Sequence, residues 1–276
     1  MKNFAVIVFV LLLLSFSSPL QAQSEKAEKI GWLLSAQTYS FRAFSFTETL
    51  DRMQKLGLKY AEVYFGQKLG GNLNGNMDYK MDTETRLQVL KLTESKGIKL
   101  IACGVVVCEN TKEWDLLFDF VKAMGIKVIT CEPKLDQFNY IEKQAANFNI
   151  DIAIHNHPKP STYWNPDELA NVLKNKSSHF GSCADVGHWK RMGIDPVEAL
   201  KKLDGRIKSL HLKDIEKNTP DSHDTVWGSG VCNMSAILKE LKRQNFKGVV
   251  SIEYEFNMKN PDPDIQKCIH YFYQEI

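Results

Sequence analysis

Short apolar runs alternate with amphipathic stretches along most of this chain, and the pattern predicts strands separated by helices. The predicted strands lie at residues 34–39, 60–64, 99–106, 127–132, 150–155, 180–185, 207–212 and 249–254. The predicted helices lie at residues 46–56, 83–96, 112–124, 135–148, 166–175, 196–203 and 233–244. Strict alternation of strand and helix over about 250 residues predicts a single (β/α)8 TIM barrel of the α/β class.

A recurring local signal marks the junctions between helix and strand. Gly57, Gly97 and Gly125 each follow a helix-like stretch and precede an apolar residue, a lysine and a strand, and Asn149 stands in the same place before another strand. Glycine and asparagine tolerate the left-handed conformation that ends many helices. The repeats therefore predict compact helix-to-strand turns.

The first 22 residues predict an export signal, and residues 23–276 then form the barrel domain. Lys2 is followed by an apolar run at residues 4–16, Pro19 breaks the run, and Ala22 is a small residue at the expected cleavage point. The run is shorter than the roughly 20 residues that a membrane-spanning helix needs. We therefore expect a periplasmic or secreted protein with no membrane association after signal cleavage.

Charge and cysteine content narrow the function classes. The net charge is +2 and no long run of one sign occurs, whereas a nucleic-acid or anionic-membrane binder usually has a basic face. We therefore expect no nucleic-acid partner; a homo-oligomer is compatible with the sequence.

The six cysteines are expected mostly as unpaired core thiols, with a Cys103–Cys108 disulfide as the alternative.

The chemistry lies at the ends of the apolar runs. Five runs each end in acids or histidines, at the segments Cys131-Glu132-Pro133, His155-Asn156-His157, Asp185-Val186-Gly187-His188, His211-Leu212-Lys213-Asp214 and Glu253-Tyr254-Glu255. The carboxyl ends of parallel barrel strands meet at one face, which is the catalytic face of TIM barrels. Carboxylates and imidazoles that converge there predict a divalent metal site, because acids alone would repel one another.

Each of these residues also has an ordinary structural explanation. Glu253 alone could form an ion pair with Lys213, and His188 alone could orient a loop. Three tryptophans near predicted strand ends, Trp164, Trp189 and Trp227, suit either core packing or stacking on a sugar ring. The five clusters in barrel order carry the metal hypothesis, more than any single member.

The motifs together resemble a known family, the xylose isomerase-like TIM barrels. That superfamily includes sugar isomerases, epimerases, inosose dehydratases and the endonuclease IV group. The resemblance covers residues 30–276. It is carried by Ala36-Gln37-Thr38-Tyr39-Ser40, Cys183-Ala184-Asp185-Val186-Gly187-His188-Trp189, His211-Leu212-Lys213-Asp214, Trp227-Gly228-Ser229-Gly230 and Ser251-Ile252-Glu253-Tyr254.

The resemblance implies Asp185, His211 and Glu253 as metal ligands. Many members have a glutamate at the end of strand five as the fourth ligand, and this chain has His155 there. We therefore predict Glu132, on the neighbouring strand, as the fourth ligand, with His155 as the competing choice. Mixed carboxylate and imidazole ligation permits manganese, cobalt, magnesium or zinc.

The leading functional hypothesis is a metal-dependent sugar isomerase or epimerase. The base would be His155, His157 or Glu132, and abstraction of a proton next to the carbonyl of a free sugar would form an enediolate. A lyase or hydratase acting on a keto-sugar or keto-glycoside is the alternative, with Lys213 or His188 protonating the leaving oxygen. His157 and Lys213 are expected to face the substrate.

A DNA-repair enzyme like endonuclease IV is a more distant alternative. By resemblance that group would need three zinc ions and further histidines on strands three and four. The third predicted strand here ends in Gly104-Val105-Val106-Val107, without histidine.

Overall fold

The computed structural model describes residues 19–276, with side-chain surroundings from residue 23 onward. Most of the predicted export signal, residues 1–18, lies outside the described residues. Helix α1 (Pro19–Lys29) includes Ala22, and cleavage there stays a prediction. None of the helices in residues 19–276 combines the length and hydropathy needed to cross a bilayer.

Eight parallel strands close into a barrel, which confirms the predicted fold. Each strand pairs with its neighbours in the chain, and the last strand pairs with the first, from Trp32↔Gly248 to Ala36↔Ile252. The strands are β1 (Trp32–Gln37), β2 (Tyr60–Val63), β3 (Lys99–Val106), β4 (Val128–Cys131), β5 (Asp151–His155), β6 (Phe180–Asp185), β7 (Ile207–Leu212) and β8 (Gly248–Ile252).

Helices surround the barrel, and all seven predicted helices are present. The remaining helices are α2 (Phe46–Lys55), α3 (Thr83–Ser95), α4 (Thr111–Met124), α5 (Phe138–Phe148), α6 (Pro166–Leu173), α7 (Val186–Arg191), α8 (Pro196–Lys202), α9 (Met234–Arg243) and α10 (Asp262–Glu275). The predicted helix 135–148 begins as a 3-10 turn, Leu135–Gln137, before α5. Sequence analysis missed α10, in which Phe272 packs on Trp32 with ring centroids 6.0 Å apart.

The predicted helix-to-strand turns have the expected backbone. Gly57, Gly97 and Gly125 have φ values of 75°, 67° and 71°, and Asn149 has 52°. These left-handed residues end each helix and turn the chain directly into the next strand, so every strand begins at the same end of the barrel. The carboxyl ends consequently meet at the opposite face.

The hydrophobic core has two parts. A small inner cluster fills the barrel, and a larger cluster lies between the strands and the helices. All six cysteines are buried and free, which confirms the prediction of core thiols and contradicts the Cys103–Cys108 alternative. Burial raises the pKa of the Cys103 thiol well above its ordinary value.

Two loops at the carboxyl-end face contain small hairpins. Strand segment Lys68–Gly70 pairs with Leu73–Asn76, and Asp214–Ile215 pairs with Asp224–Thr225. The carboxylate of Asp214 accepts hydrogen bonds from the backbone of Gly228 and Gly230 at 2.9 and 3.0 Å. Asp214 thereby fixes the loop after β7 against the rim of the barrel.

Candidate metal centre and active-site cleft

Four side chains from consecutive strands converge at the carboxyl-end face. His155 ends β5, Asp185 ends β6, His211 is the penultimate residue of β7, and Glu253 directly follows β8. The strand register aligns them, since Asp185 pairs with His211. One ligand atom from each lies within 4.8 Å of the others, and all four residues are buried. We call this set the four-residue cluster.

The atoms that converge in the four-residue cluster make no hydrogen bond to the described residues. They are His155 Nε2, Asp185 Oδ2, His211 Nδ1 and Glu253 Oε2. They meet one another only in charge contacts, such as His211 Nδ1 to Glu253 Oε2 at 2.7 Å, and Lys213 lies beside the two carboxylates. Two buried carboxylates and two imidazoles that face one point form a set that a cation would satisfy. Two imidazoles and two carboxylates fit a divalent metal ion of the first transition series.

The far nitrogen of each histidine in the cluster contacts a carboxylate. His155 Nδ1 lies 3.2 Å from Glu132 Oε1, and His211 Nε2 lies 3.0 Å from Glu62 Oε1. Because an ionised carboxylate only accepts, these nitrogens carry a hydrogen. The converging nitrogens face carboxylates as well, His211 Nδ1 at 2.7 Å from Glu253 Oε2 and His155 Nε2 at 3.5 Å from Asp185 Oδ2, and a bound metal ion would take the place of any proton there. Outer carboxylates of this kind orient metal-binding histidines in many proteins.

Glu132, the predicted fourth ligand, lies outside the four-residue cluster. Its Oε1 contacts Nδ1 of both His155 and His157, and its Oε2 accepts a hydrogen bond from Ser161 at 2.8 Å. Burial alone would raise the pKa of Glu132, but the hydrogen bonds from the two histidines hold it below its usual value. Glu132 contacts the face of His155 that points away from the cluster, so the competing choice, His155, has the geometry of the fourth ligand.

Sequence analysis missed Glu62, which is completely buried on β2. It accepts hydrogen bonds from Thr130 at 2.6 Å and from Ser251, in addition to the contact with His211. Burial raises the pKa of Glu62, but His211 and the hydrogen bonds lower it further, so the residue remains an anion. The sequence signal that could have identified Glu62 is an acidic residue between the apolar residues Ala61 and Val63 of β2.

Lys213 is buried beside the cluster and does not face the cleft. Its Nζ lies 3.2 Å from Asp185 Oδ2 and 3.1 Å from Glu253 Oε2, and it also contacts Glu255. Burial lowers the pKa of Lys213, but these carboxylates raise it well above the ordinary value. Only 1% of the Lys213 surface is exposed and the residue is absent from the cleft lining, so its contact with a substrate stays a prediction.

His188 lies at the edge of the four-residue cluster, between two cations. Arg191 Nη1 lies 3.1 Å from His188 Nδ1, which is closer than the 3.5 Å between Lys213 Nζ and His188 Nε2. Because arginine only donates, the shorter contact favours the tautomer with its hydrogen on Nε2. His188 Nε2 is 3.4 Å from Asp185 Oδ2. Burial, assisted by the Lys213 ammonium, lowers the pKa of His188 well below its ordinary value despite the opposing effect of Asp185.

His157 is the most exposed histidine of the site, with 49% of its side chain accessible. Its Nδ1 contacts Glu132, and its Nε2 makes no hydrogen bond to any described residue. One ring nitrogen each of His155, His157 and His188 lie within 4.8 Å of one another. The ring of His157 therefore lies next to the four-residue cluster, with its centroid 4.4 Å from that of His155.

A cleft of about 280 Å³ opens above Glu253. His157, His188 and Glu255 line one part of it, and residues that follow β1 and β2 line another. The complete lining is Gln37, Tyr39, Tyr64, Phe65, Gly104, Val105, His157, His188, Glu253 and Glu255. His155 is buried and is absent from this lining, so among the predicted catalytic residues only His157 and His188 reach the cleft.

The aromatic wall of the cleft comes from tyrosines and a phenylalanine, and the three tryptophans do not line it. Tyr39 and Tyr64 pack edge to face with centroids 5.0 Å apart. Trp189 and Trp227 are buried packing residues, and Lys159 covers the ring of Trp164 at 3.9 Å. Core packing therefore accounts for Trp189 and Trp227, and sugar stacking by Trp164 stays a prediction.

The fold and the site define a family. The model of the xylose isomerase-like TIM barrel family matches residues 50–274, and the chain belongs to that family.

Individual relatives are more distant. The chain is 28% identical over 207 residues to an inosose dehydratase of Clostridium botulinum (strain Alaska E43 / Type E3), which covers 59% of this chain and 67% of that protein. A second inosose dehydratase of the species (strain Eklund 17B / Type B), 29% identical over 179 residues, is covered over 52% of its length. The chain thus spans between half and two thirds of these curated relatives.

Solved structures support the fold. A putative uncharacterized protein from Parabacteroides distasonis is 37% identical with a TM-score of 0.74, covering 88% of this chain and 99% of that one. The IOLI protein, solved with a bound zinc atom, is 18% identical with a TM-score of 0.69, covering 88% of this chain and 97% of that one. At that identity the second similarity concerns the fold alone.

Proposed function

We propose that this protein is a metal-dependent enzyme that removes a proton next to the carbonyl of a sugar-like ketone and expels a neighbouring hydroxyl as water. The observation that carries the proposal is the position of His157, which lines the cleft with its ring centroid 4.4 Å from that of His155 in the four-residue cluster. The inosose dehydratase relatives support dehydration as the outcome.

The four-residue cluster is proposed to hold the metal through His155, Asp185, His211 and Glu253. A divalent ion bound there would polarise the substrate carbonyl and stabilise the negative charge that develops on deprotonation. Manganese, cobalt, magnesium and zinc are all candidates for such a site.

His157 is proposed as the base. Glu132 accepts the hydrogen of His157 Nδ1, so the other nitrogen has a lone pair available for a proton. A carboxylate behind an imidazole both orients the ring and stabilises the imidazolium that forms. The protonated His157 can then deliver the proton to the departing hydroxyl on the same face of the substrate.

His188 is proposed as a neutral hydrogen-bond donor. The sequence suggested it as an acid for the leaving oxygen, but its lowered pKa leaves a neutral ring, which would have to become an unfavourable imidazolate. Its Nε2–H instead suits stabilisation of a developing oxyanion. Lys213, buried and paired, is proposed to keep the neighbouring carboxylates ionised.

Isomerisation is the second candidate, because His157 could also return the proton to the adjacent carbon. Epimerisation is less well supported. It needs a proton donor on the opposite face of the substrate, and the residues contributed there by β1 to β3 include Tyr39, Tyr64 and Val105, with no imidazole. Burial raises the pKa of Tyr64, which makes it a weaker acid.

The proposal is tested by incubating the metal-loaded protein with scyllo-inosose, fructose and tagatose in deuterated water, followed by mass spectrometry. We expect solvent deuterium at the carbon next to the carbonyl and, for a good substrate, the mass loss of one water. Exchange without water loss would favour isomerisation. Absence of both from every probe would contradict the proposed function.

A further inference from the structure

A second cavity adjoins the active-site cleft. It has a volume of about 310 Å³ and shares His188 and Glu255 with the cleft. Its other lining residues come from loops at the carboxyl-end face, namely Pro158, Arg191, Pro220, His223, Asp224 and Phe256. The two cavities are therefore neighbours, and His188 and Glu255 lie at the boundary between them.

An aromatic platform forms part of the second cavity. The ring of His223 stacks on Phe256 with centroids 4.1 Å apart and an interplanar angle of 13°. Phe256 is 46% exposed, and it is the only exposed phenylalanine or tryptophan among residues 23–276. His223 Nε2 lies 3.1 Å from Glu216, which fixes the stack. A flat apolar surface of this kind suits the C–H face of a pyranose ring.

The polar groups of the second cavity are held in place before any ligand binds. Arg191 donates to Asp224 and, at 3.0 Å, to the Ser222 carbonyl. Asp224 Oδ2 accepts the backbone N–H of Glu255 at 2.7 Å. Fixed polar groups next to an aromatic surface are the usual composition of a small-molecule site.

The charge in this cavity suits a neutral ligand. The positive charge of Arg191 is already neutralised by Asp224, and Glu255 adds a carboxylate at the boundary. Phosphate sites instead present unpaired arginine, lysine or backbone N–H groups. Glu255, 29% exposed and shared by both cavities, can accept hydroxyl hydrogens from either side.

We propose that the substrate has two rings: the keto-bearing ring occupies the cleft, and a glycosidically linked neutral sugar ring occupies the second cavity against the His223–Phe256 platform. This inference rests on the proposed function and specifies its substrate class. The reason for assigning one ligand to both cavities is that they share His188 and Glu255 as lining residues and both lie at the carboxyl-end face.

The test measures binding to the full metal-loaded chain by isothermal titration calorimetry. Fructose and tagatose represent one ring; turanose, maltulose and isomaltulose represent a glucose ring joined to fructose at different positions. We expect at least one two-ring sugar to bind about tenfold more tightly than either one-ring sugar. Phe256→Ala should abolish that advantage and leave one-ring binding unchanged, whereas Leu116→Ala, an equally exposed apolar site on α4, should change neither.

Two results would overturn the inference. Equal affinity for one-ring and two-ring sugars, with deuterium exchange still observed for a one-ring sugar, would refute the second ring and leave the proposed function intact. Absence of binding and exchange for both classes would overturn both. Restoration of the two-ring advantage in Phe256→Trp would show that the aromatic surface itself is required.

Discussion

Glu62 Oε1 lies 3.0 Å from His211 Nε2, completely buried inside the barrel. The two residues are 149 positions apart in the chain and come from β2 and β7. Through this contact, a residue that does not belong to the four-residue cluster determines which nitrogen of His211 points into it.

We expect Glu62→Gln to lower metal affinity about 10- to 100-fold, because the amide is a weaker acceptor and fixes the imidazole less firmly. Affinity is measured by competition with a chromogenic chelator. Glu94→Gln, on the exposed side of α3, is the matched control and should bind metal normally. Equal affinity in Glu62→Gln and the wild type would contradict the assigned role.

Metal content separates His155 from Glu132 as the fourth ligand. His155→Ala should remove most bound metal because it deletes a ligand, as should His211→Ala and Glu253→Gln. Glu132→Gln should retain metal with an affinity reduced about 10- to 100-fold, since it loses only the outer contact. Inductively coupled plasma mass spectrometry provides the measurement.

The same measurement gives the stoichiometry, for which we expect one ion per chain. Three zinc ions per chain would instead favour the endonuclease IV alternative. Full metal content in His155→Ala together with loss in Glu132→Gln would reverse our choice of ligand.

The two histidines that line the cleft, His157 and His188, should each contribute to the rate of deuterium exchange. His157→Gln should slow deuterium exchange about 10²- to 10⁴-fold because it removes the base. His188→Gln should slow it about 10²- to 10³-fold because it removes a donor to the oxyanion. Both variants should keep normal metal content, and a variant that exchanges at the wild-type rate would lose its proposed role.

Acid should lower the free energy of unfolding of the metal-free protein, because Glu132 becomes protonated. The folded-state pKa of this carboxyl lies below its ordinary value of 4.5, so its ionised contacts stabilise the fold above that pH. The contribution falls as pH drops below 4.5 toward the folded pKa. Urea unfolding should therefore show wild type more stable than Glu132→Gln at pH 7, with a gap that narrows at pH 3.5. A gap that widens in acid would contradict this sign.

Local patterns were sufficient to predict the barrel but not all contacts within it. Apolar runs and the left-handed residues Gly57, Gly97 and Gly125 identified strands and turns, because each depends on neighbouring residues only. Helix α10 was missed because its polar first turn obscures the apolar face that contains Phe272. The hairpins beside the rim depend on long-range acceptors such as Asp214, which local patterns do not reveal.

The sequence likewise predicted only part of the candidate site. Acids and histidines at strand ends indicated a metal site at one face, since barrel topology brings strand ends together, and the family resemblance implied Asp185, His211 and Glu253 as its ligands. The choice between Glu132 and His155 required side-chain directions, and both residues occur at adjacent strand ends. Buried Lys213 is paired with Asp185 at the end of β6 and with Glu253 and Glu255 after β8, so its sequence neighbours alone could not predict its surroundings.

The side chain of Lys213 places a positive charge inside the barrel, at its carboxyl-end face. Its ammonium lies within 3.2 Å of Asp185 Oδ2 and Glu253 Oε2, two atoms of the four-residue cluster. Zinc fingers lack such a group, and their ligands repel one another until the ion arrives, so that folding waits for metal. Here the repulsion is already offset, and the polypeptide can complete its folding first and acquire its ion later, from whatever supply its surroundings offer.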